Sequence, residues 1–287
     1  MVKPRDNEAE QALEAEDIAL EAFIHALKLR HGYDFSEYSR ASLKRRAQEL
    51  ARKLGVERVG DLIPSTLYEP ALVREIVSHL SVPVSSLFRD PEVFQAMRSE
   101  VLPMLASWPR INIWLAGCAY GEEVYSLAIM LAEAGLTPRS QIYATDFNDY
   151  ALERAAEGIF NRQNLPEYRS NYLASGGPGR LSDYYHARYN LIRMRRELLE
   201  KVVFAHHNLV TDGVFAEAQL IMCRNVLIYF TQPLKDRVLT LFADSLVRGG
   251  FLVLGNKEAL STTSPVADRF ELVSAHERIY RLKRDRA

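Results

Sequence analysis

The sequence predicts an α/β protein: a doubly wound, mostly parallel sheet with an antiparallel C-terminal hairpin, a small β insertion, and an all-α N-terminal domain. Three observations predict it. Before Arg110 apolar residues recur at helical spacing and no stretch reads convincingly as a strand. After Pro109 short apolar runs alternate with helical stretches, the pattern of a parallel sheet covered on both faces. A glycine turn, Gly117 to Gly121, joins the first of those runs to the first of those helices.

Residues 1–16 are polar and acidic-rich and read as a flexible tail. A helical domain follows over 17–84. Leu20, Phe23, Ile24 and Leu27 share one helix face, which Gly32 ends. A second helix starts near Ser36, carries Leu43, Ala47, Leu50 and Leu54, and stops at Gly55. A third spans 72–80. Residues 85–109 read as a linker and connecting helix, and 110–287 as the α/β domain. Its strands are expected at 111–115, 142–145, 202–205, 220–223 and 251–254, with helices at 124–134, 150–156 and 233–246. Gly249-Gly250 reads as a turn, and 270–273 with 279–282 as the closing hairpin. The stretch 161–199 breaks this rhythm: Gly176-Gly177-Pro178-Gly179 signals a loop, and a hairpin turning near 187–190 forms the insertion near 180–196.

With 287 residues, 48% of them hydrophobic, the chain can bury a sizeable core. Its 36 basic and 37 acidic residues nearly cancel, which argues against bulk nucleic-acid binding. The two cysteines, Cys118 and Cys223, imply no disulfide framework and suit a reducing cytoplasm. No apolar run is long enough to span a bilayer and no signal segment opens the chain, so a cytoplasmic location is expected. No metal is expected.

The chemistry concentrates at strand ends, where open α/β sheets bind ligands. Gly117 and Gly121 let backbone approach a ligand, but the spacing is not G-x-G-x-x-G. Glu122 and Glu123 sit at the next helix's N-terminus, where they favour a cationic ligand over a diphosphate, or else simply satisfy the helix dipole. Both features disfavour a nicotinamide dehydrogenase. Asp146 ends the second strand, where a carboxylate can bind both ribose hydroxyls or cap a helix. With the glycine turn upstream, ribose is the better reading. A phosphate-free adenosine cofactor with cationic groups is S-adenosylmethionine. Cys223-Arg224-Asn225 then ends an apolar strand with residues that are mostly exposed unless paired.

Together these segments resemble the CheR family of chemoreceptor glutamate methyltransferases, from about Gly32 to Leu282. The anchors are Leu87-Phe88-Arg89-Asp90, Trp114-Leu115-Ala116-Gly117-Cys118 with Gly121-Glu122-Glu123-Val124-Tyr125-Ser126, Ala144-Thr145-Asp146, His207-Asn208-Leu209, and the run Cys223 to Phe230. Gly249-Gly250 and Leu254-Gly255 with Glu258 follow in order. The resemblance implies a Rossmann-like, S-adenosylmethionine-dependent methyltransferase fold. It implies methyl esterification of glutamates on receptor signalling helices, with S-adenosylhomocysteine as product. It places Ser85, Arg89, Glu123, Asp146, Asn208, Leu209, Arg224 and Asn225 at the cofactor beside Gly117. Arg89 and Tyr229 would face the methyl group and the incoming carboxylate as catalytic residues. Three departures stand out: Pro83 where relatives carry Asn, Ala218-Gln219 where Phe-Asp is common, and Asn256-Lys257 in place of His-Ser. Other readings are a methyltransferase for another protein carboxylate and a cofactor-binding signalling module.

The second helix carries Arg40, Lys44, Arg45, Arg46, Arg52 and Lys53 with few acidic residues, chiefly Glu49. Such runs are often only solvated faces. An acidic receptor helix as substrate makes docking the better expectation. The short, glycine-free turn between Tyr185 and Leu191 points away from a receptor tether peptide, and a monomer is expected.

Overall fold

The computed structural model describes residues 4–81 and 83–284, which divide into two compact units: residues 4–81 with Tyr229–Thr231, and residues 83–228 with 232–284.

The first unit is helical: α1 (Pro4–His31), α2 (Arg40–Lys53), α3 (Leu62–Tyr68) and α4 (Pro70–Ser81). Residues 4–16, expected as a tail, are the opening turns of α1, while residues 1–3 lie outside the described residues. Their Ala, Glu, Gln and Leu content explains the difference, since these are strong helix formers whatever their polarity. Leu20, Phe23, Ile24 and Leu27 are buried as their spacing requires. Helix α2 begins at Arg40, later than Ser36, because Ser36 is held in a turn by the Asp34 carboxylate and Tyr38 bridges to Phe230. Helix α3, with Pro64 inside it, carries no readable periodicity.

The second unit opens with α5 (Pro91–Ala96), a π-turn at Met97–Val101 and α6 (Leu102–Leu105). The stretch expected as a linker is core: Leu87, Phe88, Val93, Phe94, Met97, Val101 and Leu105 are fully buried in one cluster with Ile113, Leu127 and Met222. Next come β1 (Ile111–Ala116), α7 (Glu122–Glu133), β2 (Ser140–Asp146), α8 (Asp149–Glu157), β3 (Ile159–Asn161), α9 (Leu165–Ala174), β4 (Tyr185–Arg188) and β5 (Leu191–Met194). The chain continues through β6 (Val202–His206), β7 (Ala218–Cys223), α10 (Gln232–Ser245), β8 (Leu246–Leu254), β9 (Phe270–Ser274) and β10 (Ile279–Leu282).

The seven-stranded sheet has the order β6-β2-β1-β7-β8-β10-β9. The first five strands are parallel, and β10 and β9 close the edge antiparallel. Gly249-Gly250 do not end a strand: β8 already starts at Leu246 and bulges there, with Ala218 opposite Leu246 but Leu220 opposite Phe251. The insertion is a three-stranded antiparallel sheet, β3-β5-β4, larger than the expected hairpin because Ile159–Asn161 joins it. No helix among the described residues is long and apolar enough to cross a membrane.

Strand β1 pairs with β2 on one side and β7 on the other, so the winding reverses beside β1. The loops leaving β1, β2, β6 and β7 share the carboxyl end of the sheet, the position where such a reversal opens a crevice.

Candidate active site

The glycine turn is built by its neighbours. Gly117 has φ +78°, and a Cβ there would meet Val226 Cγ2 at 2.6 Å. Gly117 and Cys118 both donate their N–H to the Thr145 carbonyl, locking the turn to β2. Ala119 is also left-handed (φ 50°), and its N–H donates to Asp146 Oδ2 at 2.9 Å. The other Asp146 oxygen accepts from Asn148 N–H at 2.9 Å. Asn148, not Asp146, caps α8 by accepting from Ala151 N–H. The cap alternative for Asp146 therefore fails. Its carboxylate clamps the turn, and each oxygen keeps lone-pair capacity for a ligand hydroxyl. Burial raises its pKa, against the lowering effect of the N–H donors of Asn148, Ala119 and Phe147.

Arg224 is placed differently from its expected role as a ligand contact. Its side chain has no accessible surface. Nη1 donates to Glu123 Oε2 at 2.9 Å, and Nη2 donates to Asp90 Oδ2 at 2.8 Å and to the Arg89 carbonyl at 2.9 Å. The guanidinium is thus a clamp between α7, β7 and the loop before α5, a common use of its planar fork. Burial raises the Glu123 pKa, while the charges of Arg224 and Arg89 oppose the rise. Glu123 itself remains partly open, with 13% of its side chain exposed.

Asn225 follows in the left-handed region (φ 61°). Its N–H donates to Glu258 Oε2, as does that of Gly255, while Ile228 N–H donates to Glu258 Oε1. Glu258, 4% exposed, fixes the turn that presents Asn225. Asn208 folds the loop after β6: its Oδ1 accepts from Val210 N–H, and its own N–H donates to Asp212. Leu209 is buried beside it.

The segment carrying Ser85 and Arg89 is under local strain at Phe88, whose φ of 52° is unfavourable for a bulky side chain, while Asp90, at φ 54°, is of a residue type that tolerates the left-handed region. Phe88 N–H donates to Ser126 Oγ, which in turn donates to the Glu122 carbonyl, so α7 holds this loop. Arg89 is half-buried and gives Nη1 to the Val84 carbonyl at 3.2 Å. Ser85 is half-buried in the same loop. The second unit thus brings Arg89, Gly117 and Asn225 on loops, Asp146 on the last residue of β2 and Glu123 in the first turn of α7 to one end of the sheet. Sequence reading gave no site role to Asp90, Ala119 or Glu258. The signal for Glu258 was an acidic residue just after a buried strand.

Tyr229 belongs with the helical unit. Its carbonyl accepts from Ser39 N–H at 2.7 Å, and its ring lies 4.3 Å from the Arg46 guanidinium carbon. Arg46 was expected on a docking face, and that is corrected: it is 4% exposed and donates to the Leu80 carbonyl. Position 46 falls on the apolar stripe of Leu43, Ala47 and Leu50, which faces inwards. Among the departures, Gln219 lies at the start of β7, the end remote from Arg224, where its Oε1 accepts from Asn112 N–H at 2.6 Å. Asn256 and Lys257 are exposed.

The arrangement fits S-adenosylmethionine: carboxylates for hydroxyls and a cationic amine, and a turn with no room for a Cβ. Residues 83–279 match the model of the CheR methyltransferase SAM-binding domain, and residues 18–81 match that of the CheR methyltransferase all-alpha domain. A Pseudomonas putida protein with the methyltransferase name Cher3 is 46% identical over 92% of this chain and 97% of its own length. A chemotaxis protein methyltransferase of Listeria innocua is 32% identical over 83% of this chain and 88% of its own. One from Vibrio parahaemolyticus is 33% identical over 68% and 71% respectively. Two family models that together span nearly the whole chain, the larger of them a SAM-binding domain, and relatives named chemotaxis protein methyltransferase lead to one conclusion: this chain belongs to the CheR family of S-adenosylmethionine-dependent chemotaxis methyltransferases.

Proposed function

We propose that the protein transfers the methyl group of S-adenosylmethionine to glutamate side chains on the cytoplasmic signalling helices of chemoreceptors. The observation that carries this reading is Arg89. It is a half-buried cation whose side chain, among the described residues, donates a hydrogen bond only to a main-chain carbonyl, and whose charge is felt at Glu123. Such a group can orient a substrate carboxylate beside the cofactor's cationic end.

The cofactor supplies an electrophilic methyl on a sulfonium. A glutamate carboxylate is already ionised at neutral pH, so no general base is needed. The protein's contribution is positioning, worth up to about 7–11 kcal/mol in favourable cases. Glu123 and Asp146 would hold the amine and the ribose. Asn208, Leu209 and Asn225 would line the remaining cofactor surface, and Ser85 would add a hydroxyl. Arg89 would aim the carboxylate, and Tyr229 would serve as the second catalytic side chain. The two-residue turn Tyr189-Asn190 between β4 and β5 favours an enzyme that works without a receptor tether.

Tritiated methyl transfer to receptor-bearing membranes, with base-labile label as the ester signature, tests the reaction. Arg89→Ala is expected to abolish most labelling while calorimetry with S-adenosylhomocysteine stays near wild type. Equal loss of both would refute the division of labour. Cofactor binding with no label on any receptor would sink the enzymatic reading.

A further inference from the structure

The basic face of α2 is not free. Lys44 Nζ lies 2.5 Å from Asp17 Oδ1, and Arg40 pairs with Glu21. Both carboxylates come from α1. Asp17 and Glu21 are four apart on one helix, and Lys44 and Arg40 are four apart on the other, running backwards. This is how two antiparallel helices match charges at i, i+4 spacing. The Asp17 pKa is lowered, chiefly by its hydrogen bond to Lys44, with Arg40 adding to the effect. Lys53 is taken separately by Glu75 of α4 at 2.9 Å. Arg45, 70% exposed, reaches Glu49 only at 3.9 Å, and Arg52 donates to the Gln48 carbonyl of its own helix.

We infer that α1 is an internal competitor for α2: Asp17 and Glu21 stand in for the carboxylates of an acidic partner helix. This rests on the reading that α2 docks such a helix. Docking is then an exchange of ion pairs, not the filling of an empty cationic face. Arg45 and Arg52, the least neutralised cations, give first contact, and Arg40 and Lys44 change partners afterwards.

The exchange has a particular salt signature. Salt weakens internal and intermolecular pairs alike, so the internal pairs blunt the salt dependence of docking. Removing the α1 carboxylates tightens binding at low salt and steepens its decline with salt. Exposed pairs contribute little each, so the gain is about three- to tenfold in affinity.

The test needs no methyl transfer. The probe is a fluorescent alanine-rich helix carrying glutamate pairs at i, i+4, and binding to the full chain is followed by anisotropy. Asp17→Asn with Glu21→Gln is compared with wild type and with Glu57→Gln/Glu100→Gln, which makes the same charge change at exposed positions outside these pairs. The inference predicts that only the first variant binds about three- to tenfold tighter at low salt and converges on wild type at high salt. Equal or weaker binding overturns it, as does an equal gain in the control variant. Thermal midpoints and S-adenosylhomocysteine calorimetry establish that each variant is folded. Failure of methylation with this result intact would refute the proposed reaction, not the competition.

Discussion

The guanidinium of Arg46 lies over the ring of Tyr229, with its central carbon 4.3 Å from the ring centroid. A buried cation from α2 thereby orients a side chain that follows β7 by six residues in sequence. The surrounding chain is fixed too: Thr231 N–H donates to the Glu37 carbonyl, and the Tyr38 and Phe230 rings meet at 5.0 Å. Arg46→Met removes the cation–π contact and orphans the Leu80 carbonyl. A stability loss of about 1–3 kcal/mol is expected from the orphaned acceptor. A fall in kcat of about tenfold is expected from the lost orientation, with S-adenosylhomocysteine affinity kept. Arg46→Lys retains charge without the planar stack and should recover stability better than kcat. Steady-state kinetics with thermal melts separate the two effects.

Arg224 makes a different prediction. Its guanidinium neutralises Glu123 and Asp90 together. Arg224→Met removes the cation those two carboxylates share, a change that costs about 3–5 kcal/mol where a buried pair is broken. The second unit should melt earlier, and cofactor binding should weaken because Glu123 and the Arg89 loop lose their anchor. Arg224→Lys, a point charge on a single stem, should rescue little. A melting profile of Arg224→Met matching wild type would contradict the clamp.

Gly117 is constrained from two directions, by φ +78° and by Val226 Cγ2 at 2.6 Å from an added Cβ. Gly117→Ala should displace the turn and reduce S-adenosylhomocysteine affinity by at least tenfold. Val226→Ala in the same chain removes the clash but not the left-handed backbone, which costs an alanine about 1–2 kcal/mol. The double variant should therefore recover affinity only in part. Full recovery would mean that packing alone excludes a side chain.

The parts of this molecule that were legible in sequence are those set by local pattern. Apolar runs at β1, β2, β7 and β8 marked the buried parallel strands, and the polar residues ending them marked the site. Helix α9 was hidden by the Gly- and Pro-rich stretch after it and by a mixed composition that buries Tyr168 and Tyr172 without a clean stripe. Arg46 was legible in principle, since its position is three beyond Leu43 and four before Leu50. What weighed against it was the usual exposure of arginine. The partners of Arg224 were not legible. Asp90 lies 134 residues from it and Glu123 lies 101, and only the fold brings them to one guanidinium. The α1 carboxylates were not legible for a related reason: Asp17 opens the helical domain 27 residues before Lys44, with nothing local to link the two.

Glu122 supplies a prediction in pH. It is 6% exposed, its Oε2 has no hydrogen-bond partner among the described residues, and burial pushes its pKa up to about 7. Its charge is felt at Tyr168, whose own pKa is pushed up to about 12, chiefly by burial, and at Cys118. A carboxyl whose folded pKa exceeds its unfolded value near 4.5 binds its proton more tightly in the folded chain. Below pH 4.5 both states are protonated and the group makes no difference. Between pH 4.5 and about 7 the unfolded chain releases the proton first, so stability falls as pH rises, and the loss levels off above that window. The full loss is on the order of 3 kcal/mol. Glu122→Gln, which keeps the shape without the charge, should flatten this slope and leave the protein more stable than wild type at pH 8, with little difference at pH 4.5. Urea titrations at the two pH values measure both ends. A variant that is less stable than wild type at pH 8 would show instead that the ionised carboxylate is solvated through the first turn of α7.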